Sequence, residues 1–119
     1  MPEYYELVFL AGQDAVENNP EKLQKFLRAA QKGFDFMQEN PEEALQILLD
    51  NQNAENFPLS PTVEKASMDM LLPAMETADA PFMAQDIAVW QANADWLYEM
   101  GLLSEQADVS HMVVDLLAE

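Results

Sequence analysis

Cysteine is absent from the 119-residue sequence, and glycine is scarce, with 3 residues beside 7 prolines. The absence of cysteine excludes disulfides, thiolate nucleophiles and cysteine-ligated metal sites. The glycines are scattered, so no glycine-rich loop is available to bind a phosphate group. The low glycine content disfavours an all-β or loop-rich fold, whereas the 8 methionines and the many alanines and leucines favour helices.

Basic residues are also few: 5 lysines and arginines stand against 22 acidic residues, which gives a formal net charge of −17. This charge repels the phosphates of nucleic acids and anionic lipid head groups, so we predict no nucleic-acid partner. Half of the residues are hydrophobic, which is enough for a packed core and disfavours disorder. The length fits one domain, and we predict a single unit over residues 1–119.

Most of the cations lie in one short stretch, residues 20–32, where four cations and one acid give a charge of +3. The four cations are Lys22, Lys25, Arg28 and Lys32, and the acid is Glu21. One interpretation is a solvated helix face that offsets part of the acidic self-repulsion. The other is a docking patch for an acidic surface. The sequence leaves both open.

No hydrophobic run approaches the roughly 18 residues that a membrane-spanning helix needs. The sequence starts with Met1-Pro2-Glu3 and continues directly into Tyr4, so we expect no signal peptide in this chain. If the chain is part of a longer protein, the targeting signal would lie upstream.

One β-strand is predicted, over residues 4–10, where aromatic and β-branched residues precede Ala11-Gly12. The second half of this segment is continuously apolar, as in a strand covered on both faces. No second segment of the sequence has the same character. A lone strand leaves backbone donors and acceptors unpaired. We therefore expect that another chain, or a missing part of this one, supplies the pairing.

About five helices follow the strand, so the predicted fold class is mainly α with one β-strand. Their predicted bounds are residues 20–39, 41–50, 61–72, 85–100 and 109–117. Asn19-Pro20 and Asn40-Pro41 are start signals, because proline fits the first helical position and asparagine the preceding cap.

Other residues predict how individual helices begin and end. Glu43 is placed to form a capping box with Asn40. Pro73 should kink or end the third long helix near residue 72. Gly101 suits the left-handed residue that ends the fourth. In the third long helix, Val63, Ala66, Ser67, Met70 and Leu71 are predicted to face inward.

Residues capable of catalysis or metal binding are poorly arranged. His111 is the only histidine and has no metal-ligand or triad spacing around it. The acids at Glu42-Glu43 and at Glu64 and Asp69 are expected to be solvated on helix surfaces. We therefore predict no catalytic residue, no metal site and no cofactor.

Aromatic residues remain as candidates for binding a flat ligand, because rings offer a broad contact area at low entropic cost. The candidates are Tyr4, Tyr5, Phe82, Trp90, Trp96 and Tyr98. For Trp90 and Tyr98, helical spacing favours a place in the core. Tyr4 and Tyr5 open the predicted strand, and ligands of open α/β sheets bind near strand ends. Tyr4 and Tyr5 are therefore the predicted ligand-binding residues.

The order of these segments resembles a known family. The matching features are the strand with its apolar end, then NPEKLQKFLRA, then the Gly33-Phe34 step, then ENPEEA. The later VWQANADWLYEMGLLSEQADVSHMVVDLL is similar to that family's closing segment. The family is the thiamine-pyrimidine-precursor-binding (NMT1-like) branch of the periplasmic binding proteins. The resemblance covers the chain from about residue 4 to residue 117.

The resemblance implies the C-terminal portion of a two-lobed α/β protein, which traps a small ligand between its lobes and presents it to a membrane permease. It implies an extracytoplasmic location for the full-length protein and a ligand such as a thiamine pyrimidine precursor, without catalysis. The relatives' main ligand-contacting residues lie upstream of this sequence. The alternative is a helical protein–protein interaction module that has lost ligand binding. In either case, we predict self-association through residues 4–10.

Overall fold

The computed structural model describes residues 1–75 and 82–117. In this part of the chain, five α-helices and one short 3₁₀ helix follow an N-terminal segment without regular structure. The α-helices are α1 Gln13–Asn18, α2 Pro20–Glu39, α3 Pro41–Asp50, α4 Pro61–Met75 and α5 Ile87–Glu99, and the 3₁₀ helix is Val109–His111. The predicted mainly α-helical class is confirmed.

Proline marks the first residue of three consecutive helices: Pro20, Pro41 and Pro61 begin α2, α3 and α4. The ring fixes a helical φ, and the missing N–H is one that the first turn of a helix leaves unpaired anyway. In α5 the start is set differently, because the Asp86 carboxylate accepts a hydrogen bond from the Ala88 N–H at 2.8 Å. Local sequence signals thus define where these helices begin.

The predicted capping box between Asn40 and Glu43 is absent, because the Asn40 side chain makes no cap hydrogen bond to α3. Instead, the Asn40 amide donates to the Phe36 carbonyl at 3.3 Å, and the Asn40 backbone N–H donates to the same carbonyl at 2.8 Å. Asn40 therefore satisfies the end of α2 and leaves the start of α3 to its proline.

Helix α4 differs from the prediction in its length and in its apolar face. It passes Pro73 and ends at Met75, although an interior proline removes one backbone hydrogen bond. Val63, Met70 and Leu71 were predicted to face inward, but their exposed fractions are 58%, 77% and 57%. The packing of α4 against α3 therefore leaves a large part of its apolar surface uncovered.

The predicted strand over residues 4–10 is not formed, since residues 1–5 and 8–12 have no regular structure and residues 6 and 7 form a bend. No strand occurs elsewhere in residues 1–75 and 82–117. A strand is defined by its ladder of hydrogen bonds to a neighbour, and the described chain offers no neighbour of that kind.

The predicted helix over residues 109–117 is also wrong, because only Val109–His111 is helical and that turn is a 3₁₀ helix. The Asp108 carboxylate accepts the Ser110 N–H at 2.9 Å and so starts the turn. A helix of nine residues gains little stability from its own hydrogen bonds. Here Val109 and Val113 are buried, and the turn packs against α5.

Helix α5 ends at Glu99, and Gly101 two residues later has the predicted left-handed conformation, with a φ of +72°. The Gly101 N–H donates to the Tyr98 carbonyl, and the Leu102 N–H donates to the Leu97 carbonyl, both at 2.9 Å. This left-handed position satisfies the last carbonyls of the helix, and glycine occupies it without a Cβ clash.

Two compact units make up the chain: Met1–Lys25 with Ala84–Glu119, and Phe26–Met83. In the first unit, Ala94, Val109 and Val113 are buried. In the second, Phe34 is buried, and α3 packs against α4. The prediction of a single unit over residues 1–119 stays a prediction, because one domain can contain two such clusters. Among the described helices, none has the length and apolar character needed to cross a membrane.

Candidate functional site

The candidate site is an aromatic cluster in the first unit, formed by Tyr5, Trp90 and the two residues Gln85 and Asp86. The ring centroids of Tyr5 and Trp90 are 5.6 Å apart, and their planes differ by 28°, which is a stacked arrangement. The Tyr5 hydroxyl accepts a hydrogen bond from the Asp86 backbone N–H at 3.0 Å. Both the ring and the hydroxyl of Tyr5 are thus engaged by the start of α5.

Trp90 is half-buried, and its indole N–H is also satisfied locally, because Nε1 donates to the Gln85 Oε1 at 2.8 Å. The Asn93 amide holds the same N-terminal segment from one turn further along α5. Its Nδ2 donates to the Glu3 carbonyl and to the Val89 carbonyl. The first residues of the chain are therefore fastened along one side of α5 by a stack and by hydrogen bonds.

Tyr4 lies outside this cluster, although it was predicted together with Tyr5. Its side chain is 49% exposed, and its hydroxyl donates to the Glu6 carboxylate at 3.2 Å. That hydrogen bond, together with the negative charge of Glu6, raises the pKa of the Tyr4 phenol above its ordinary value. Tyr4 thus keeps its ring open to solvent beside an anchored neighbour, while Tyr5 makes structural contacts.

The other aromatic candidates are distributed between the two units. In the first unit, Tyr98 was expected in the core but is 45% exposed. In the second unit, Phe82 stacks on the buried Phe34 with centroids 4.0 Å apart and planes 11° apart. The Gln31 amide donates to the Phe82 carbonyl at 2.8 Å and holds that residue in place. The ring of Phe82 therefore belongs to the packing of its own unit.

Gln91 has a central role that the sequence did not reveal. Its Nε2 donates to the Ala107 carbonyl at 2.8 Å, and its Oε1 accepts the Val109 N–H at 3.2 Å. The same Nε2 donates to the Asp95 carboxylate at 3.0 Å, which also accepts a hydrogen bond from Gln106. These bonds join residues 106–109 to α5. No sequence pattern marks a glutamine for this role.

The pKa values of two carboxyl groups in the same region are lowered. Hydrogen bonds from Gln106 and then Gln91 lower the pKa of Asp95. Hydrogen bonds from Ser110 lower the pKa of Asp108, with a smaller contribution from the charge of His111. Each hydrogen bond stabilises the ionised carboxylate. Both aspartates are thus held ionised as structural acceptors, and neither has the raised pKa of a general acid.

A shallow groove of about 490 Å³ lies between α3 and α4 in the second unit. Its charged lining residues are Glu42, Lys65 and Asp69, and Lys65 forms an exposed ion pair with Asp69 at 2.9 Å. Such an exposed pair contributes little to stability. The Lys65 and Asp69 side chains are 57% and 61% exposed to solvent, so the groove is a weaker candidate than the aromatic cluster.

The four cations of residues 20–32 lie along α2, and all of them are exposed. In the described part of the chain, none of these side chains forms an ion pair with an acid. Both interpretations of this stretch stay open.

His111 is exposed at the end of the 3₁₀ helix. In residues 1–75 and 82–117, no group of three or more histidine and acidic side chains is placed to hold a metal ion.

Two comparisons relate the chain to known proteins. A family model described as NMT1/THI5 like matches residues 1–44. Over 97 residues, the chain is 46% identical to the formylaminopyrimidine-binding protein of Halalkalibacterium halodurans, and this match covers 82% of the chain and 29% of that protein. The chain thus spans less than a third of the length of this curated relative, and the match lies in the relative's C-terminal portion.

Proposed function

Because the chain belongs to the NMT1/THI5-like family, we propose that it is the C-terminal portion of the substrate-binding component of an ATP-driven importer. The proposed ligand is a thiamine pyrimidine precursor of the formylaminopyrimidine type. The observation that carries this proposal is the 46% identity over 97 residues to a formylaminopyrimidine-binding protein. In this role the chain binds its ligand and does not transform it.

The aromatic cluster supports a ligand contact at Tyr4. Tyr5 is stacked on Trp90 and hydrogen-bonded to Asp86, so the backbone next to Tyr4 is fixed. The Tyr4 ring remains exposed, and a flat pyrimidine stacks favourably on such a ring. We assign Tyr4 to direct ligand contact and Tyr5 to the support of that contact.

The proposed partners are the small-molecule ligand, a membrane permease and a second copy of the chain bound through the predicted 4–10 segment. The proposed location is extracytoplasmic, as periplasmic binding proteins require. The match to a binding protein does not favour the alternative of a helical interaction module without a ligand.

A thermal-shift experiment with the purified chain tests the ligand. Binding to the folded state stabilises it by about 1.4 kcal/mol when the free ligand is at about ten times its Kd. We expect formylaminopyrimidine to raise the melting temperature by several degrees and simple sulfonates to leave it unchanged. Failure of the pyrimidine to shift the transition at any soluble concentration would favour the module without a ligand.

Two matched variants test the assignment of Tyr4. Tyr4→Ala removes the exposed ring next to the cluster, whereas Phe57→Ala removes another exposed ring, which is 83% accessible and lies in the other unit. The pyrimidine-induced shift should shrink in Tyr4→Ala and stay intact in Phe57→Ala. Equal shifts in the two variants would remove Tyr4 from the site while leaving the ligand itself in place.

A further inference from the structure

Tyr4 and Glu6 form an exposed pair at the start of the chain. The Tyr4 hydroxyl donates a hydrogen bond to the Glu6 Oε1 at 3.2 Å, and both side chains are exposed. Tyr5, the residue between them, is engaged by the start of α5 instead, because its ring stacks on Trp90 and its hydroxyl accepts the Asp86 N–H. The backbone that carries the Tyr4–Glu6 pair is therefore anchored, while the pair itself is accessible.

A second attachment holds the same backbone on the other side of Tyr4. The Asn93 side chain donates to the Glu3 carbonyl, so residues 3 and 5 are both fastened along α5. Binding groups on an anchored backbone lose less conformational entropy when a ligand binds to them. Tyr4 and Glu6 are thus better prepared to bind a ligand than a ring and an acid on an untethered chain end.

The Glu6 carboxylate has further capacity as a hydrogen-bond acceptor. An ionised carboxylate has two oxygens with about four acceptor sites, and the Tyr4 hydroxyl uses one of them. Within residues 1–75 and 82–117, no other group donates to the Glu6 side chain, and no cation forms an ion pair with it. The pair therefore combines an exposed aromatic face with an acceptor that is open to a ligand N–H group.

We propose that Glu6 is a specificity-determining residue of the ligand site, and that its carboxylate accepts an N–H of a ligand stacked on the Tyr4 ring. This inference rests on the proposed function, in which Tyr4 contacts the pyrimidine directly. The ligand class that fits is a flat heterocycle without negative charge that carries an N–H donor on a ring substituent, and a formylamino group is such a donor. An anionic ligand such as a simple sulfonate would instead be repelled by the carboxylate.

The contact between Tyr4 and Glu6 is testable without a ligand. The hydrogen bond to Glu6 and the charge of Glu6 raise the pKa of the Tyr4 phenol, so Glu6→Ala should return this pKa toward its ordinary value. Glu17→Ala is the matched control, because Glu17 is another exposed acid that accepts a side-chain hydrogen bond, from Gln13 at 2.7 Å. NMR of ring-labelled tyrosine follows Tyr4 separately from the other two tyrosines. An unchanged Tyr4 pKa in Glu6→Ala would overturn the proposal, because the pair would not exist in solution.

The binding of two related ligands tests the specificity. The probes are formylaminopyrimidine and its analogue with a methyl group in place of the formylamino hydrogen, which keeps the ring and loses the N–H donor. A hydrogen bond to a charged group changes an affinity by about tenfold or more. In calorimetric titrations of the unmodified chain, we therefore expect a Kd about tenfold lower for formylaminopyrimidine than for the methylated analogue.

The same titrations on the two alanine variants assign the difference to a residue. Glu6→Ala should raise the Kd of formylaminopyrimidine by about tenfold and leave that of the methylated analogue nearly unchanged, so that the two values become similar. Glu17→Ala should preserve the tenfold difference. Circular dichroism checks that both variants keep the helices of the unmodified chain.

Two results would overturn the inference in distinguishable ways. If Glu6→Ala preserves the tenfold difference, the methyl group acts through its bulk, and Glu6 does not determine specificity, while the proposed function stands. If formylaminopyrimidine does not bind the unmodified chain at all, the proposed function fails and the role of Glu6 fails with it.

Discussion

The contact between Tyr5 and α5 should be the main attachment of the N-terminal segment, and Tyr5→Ala tests it. The substitution removes the stack on Trp90 at 5.6 Å and the hydroxyl that accepts the Asp86 N–H at 3.0 Å. The amide contact of Asn93 with the Glu3 carbonyl remains. The segment that carries Tyr4 would then be held at fewer points.

The expected cost follows from the two contacts. A stacked aromatic pair contributes about 0.5–1.5 kcal/mol beyond its buried area. A hydrogen bond contributes a further net 0.5–1.5 kcal/mol or so. Because Tyr5 is half-buried, we expect Tyr5→Ala to lower the free energy of unfolding by about 2 kcal/mol. Tyr5→Phe keeps the ring and loses only the hydroxyl, so its cost should be about 1 kcal/mol.

Urea denaturation followed by tryptophan fluorescence measures this loss directly, because both tryptophans, Trp90 and Trp96, lie on α5. Tyr4→Ala is the matched control, since Tyr4 is exposed and its hydroxyl is hydrogen-bonded to the nearby Glu6. It should change the midpoint by much less than Tyr5→Ala. If the two alanine variants have the same midpoint, the contacts of Tyr5 with Trp90 and Asp86 do not anchor the N-terminal segment.

Three further predictions concern residues in α2, in α5 and directly after α5. Gln91→Leu removes the hydrogen bonds to Ala107 and Val109, so amide exchange over residues 106–113 should accelerate. The free energy of unfolding should fall by about 2 kcal/mol. Unchanged amide exchange would contradict this role of Gln91. Gly101→Ala should destabilise by about 1 kcal/mol because φ is +72°, whereas Gly33→Ala, inside α2 with space for a Cβ, should stabilise by about as much; equal effects in urea titrations would contradict the assignment. The folded state lowers the pKa of Asp95 below its ordinary value of 3.8, so the stability that this carboxylate contributes is present above pH 3.8 and is lost as the pH falls below it. In Asp95→Asn, the free energy of unfolding should therefore depend less on pH in this acidic range. An unchanged pH dependence would contradict the role of Asp95.

The sequence predicted the features that depend on neighbouring residues. Pro20 and Pro41 mark the starts of α2 and α3, and Gly101 marks the end of α5. Each of these signals acts through backbone geometry within a few residues. The family resemblance depends on the order of such local segments, and that order can be read from the sequence alone.

The features that the sequence did not predict depend on distant contacts. Gln91 bonds to Ala107 and Val109, sixteen and eighteen residues away, and no local pattern selects it. The segment of residues 109–117 has helical spacing, but only the turn Val109–His111 is helical, and that turn packs on α5. The predicted strand over residues 4–10 has strand-like composition, yet it needs a partner that the described chain does not contain. Tyr4 and Tyr5 have the same chemistry, and only the structure separates the exposed ring from the anchored one.

A chimera tests most directly the proposal that this chain is the C-terminal portion of a pyrimidine-binding protein. In the chimera, this chain replaces the matching segment of the formylaminopyrimidine-binding protein of Halalkalibacterium halodurans, to which it is 46% identical. Calorimetric titration with the pyrimidine should give a Kd within about tenfold of that of the unmodified relative, a loss of no more than about 1.4 kcal/mol in binding energy. A chimera that folds cooperatively but binds no pyrimidine would contradict the proposal.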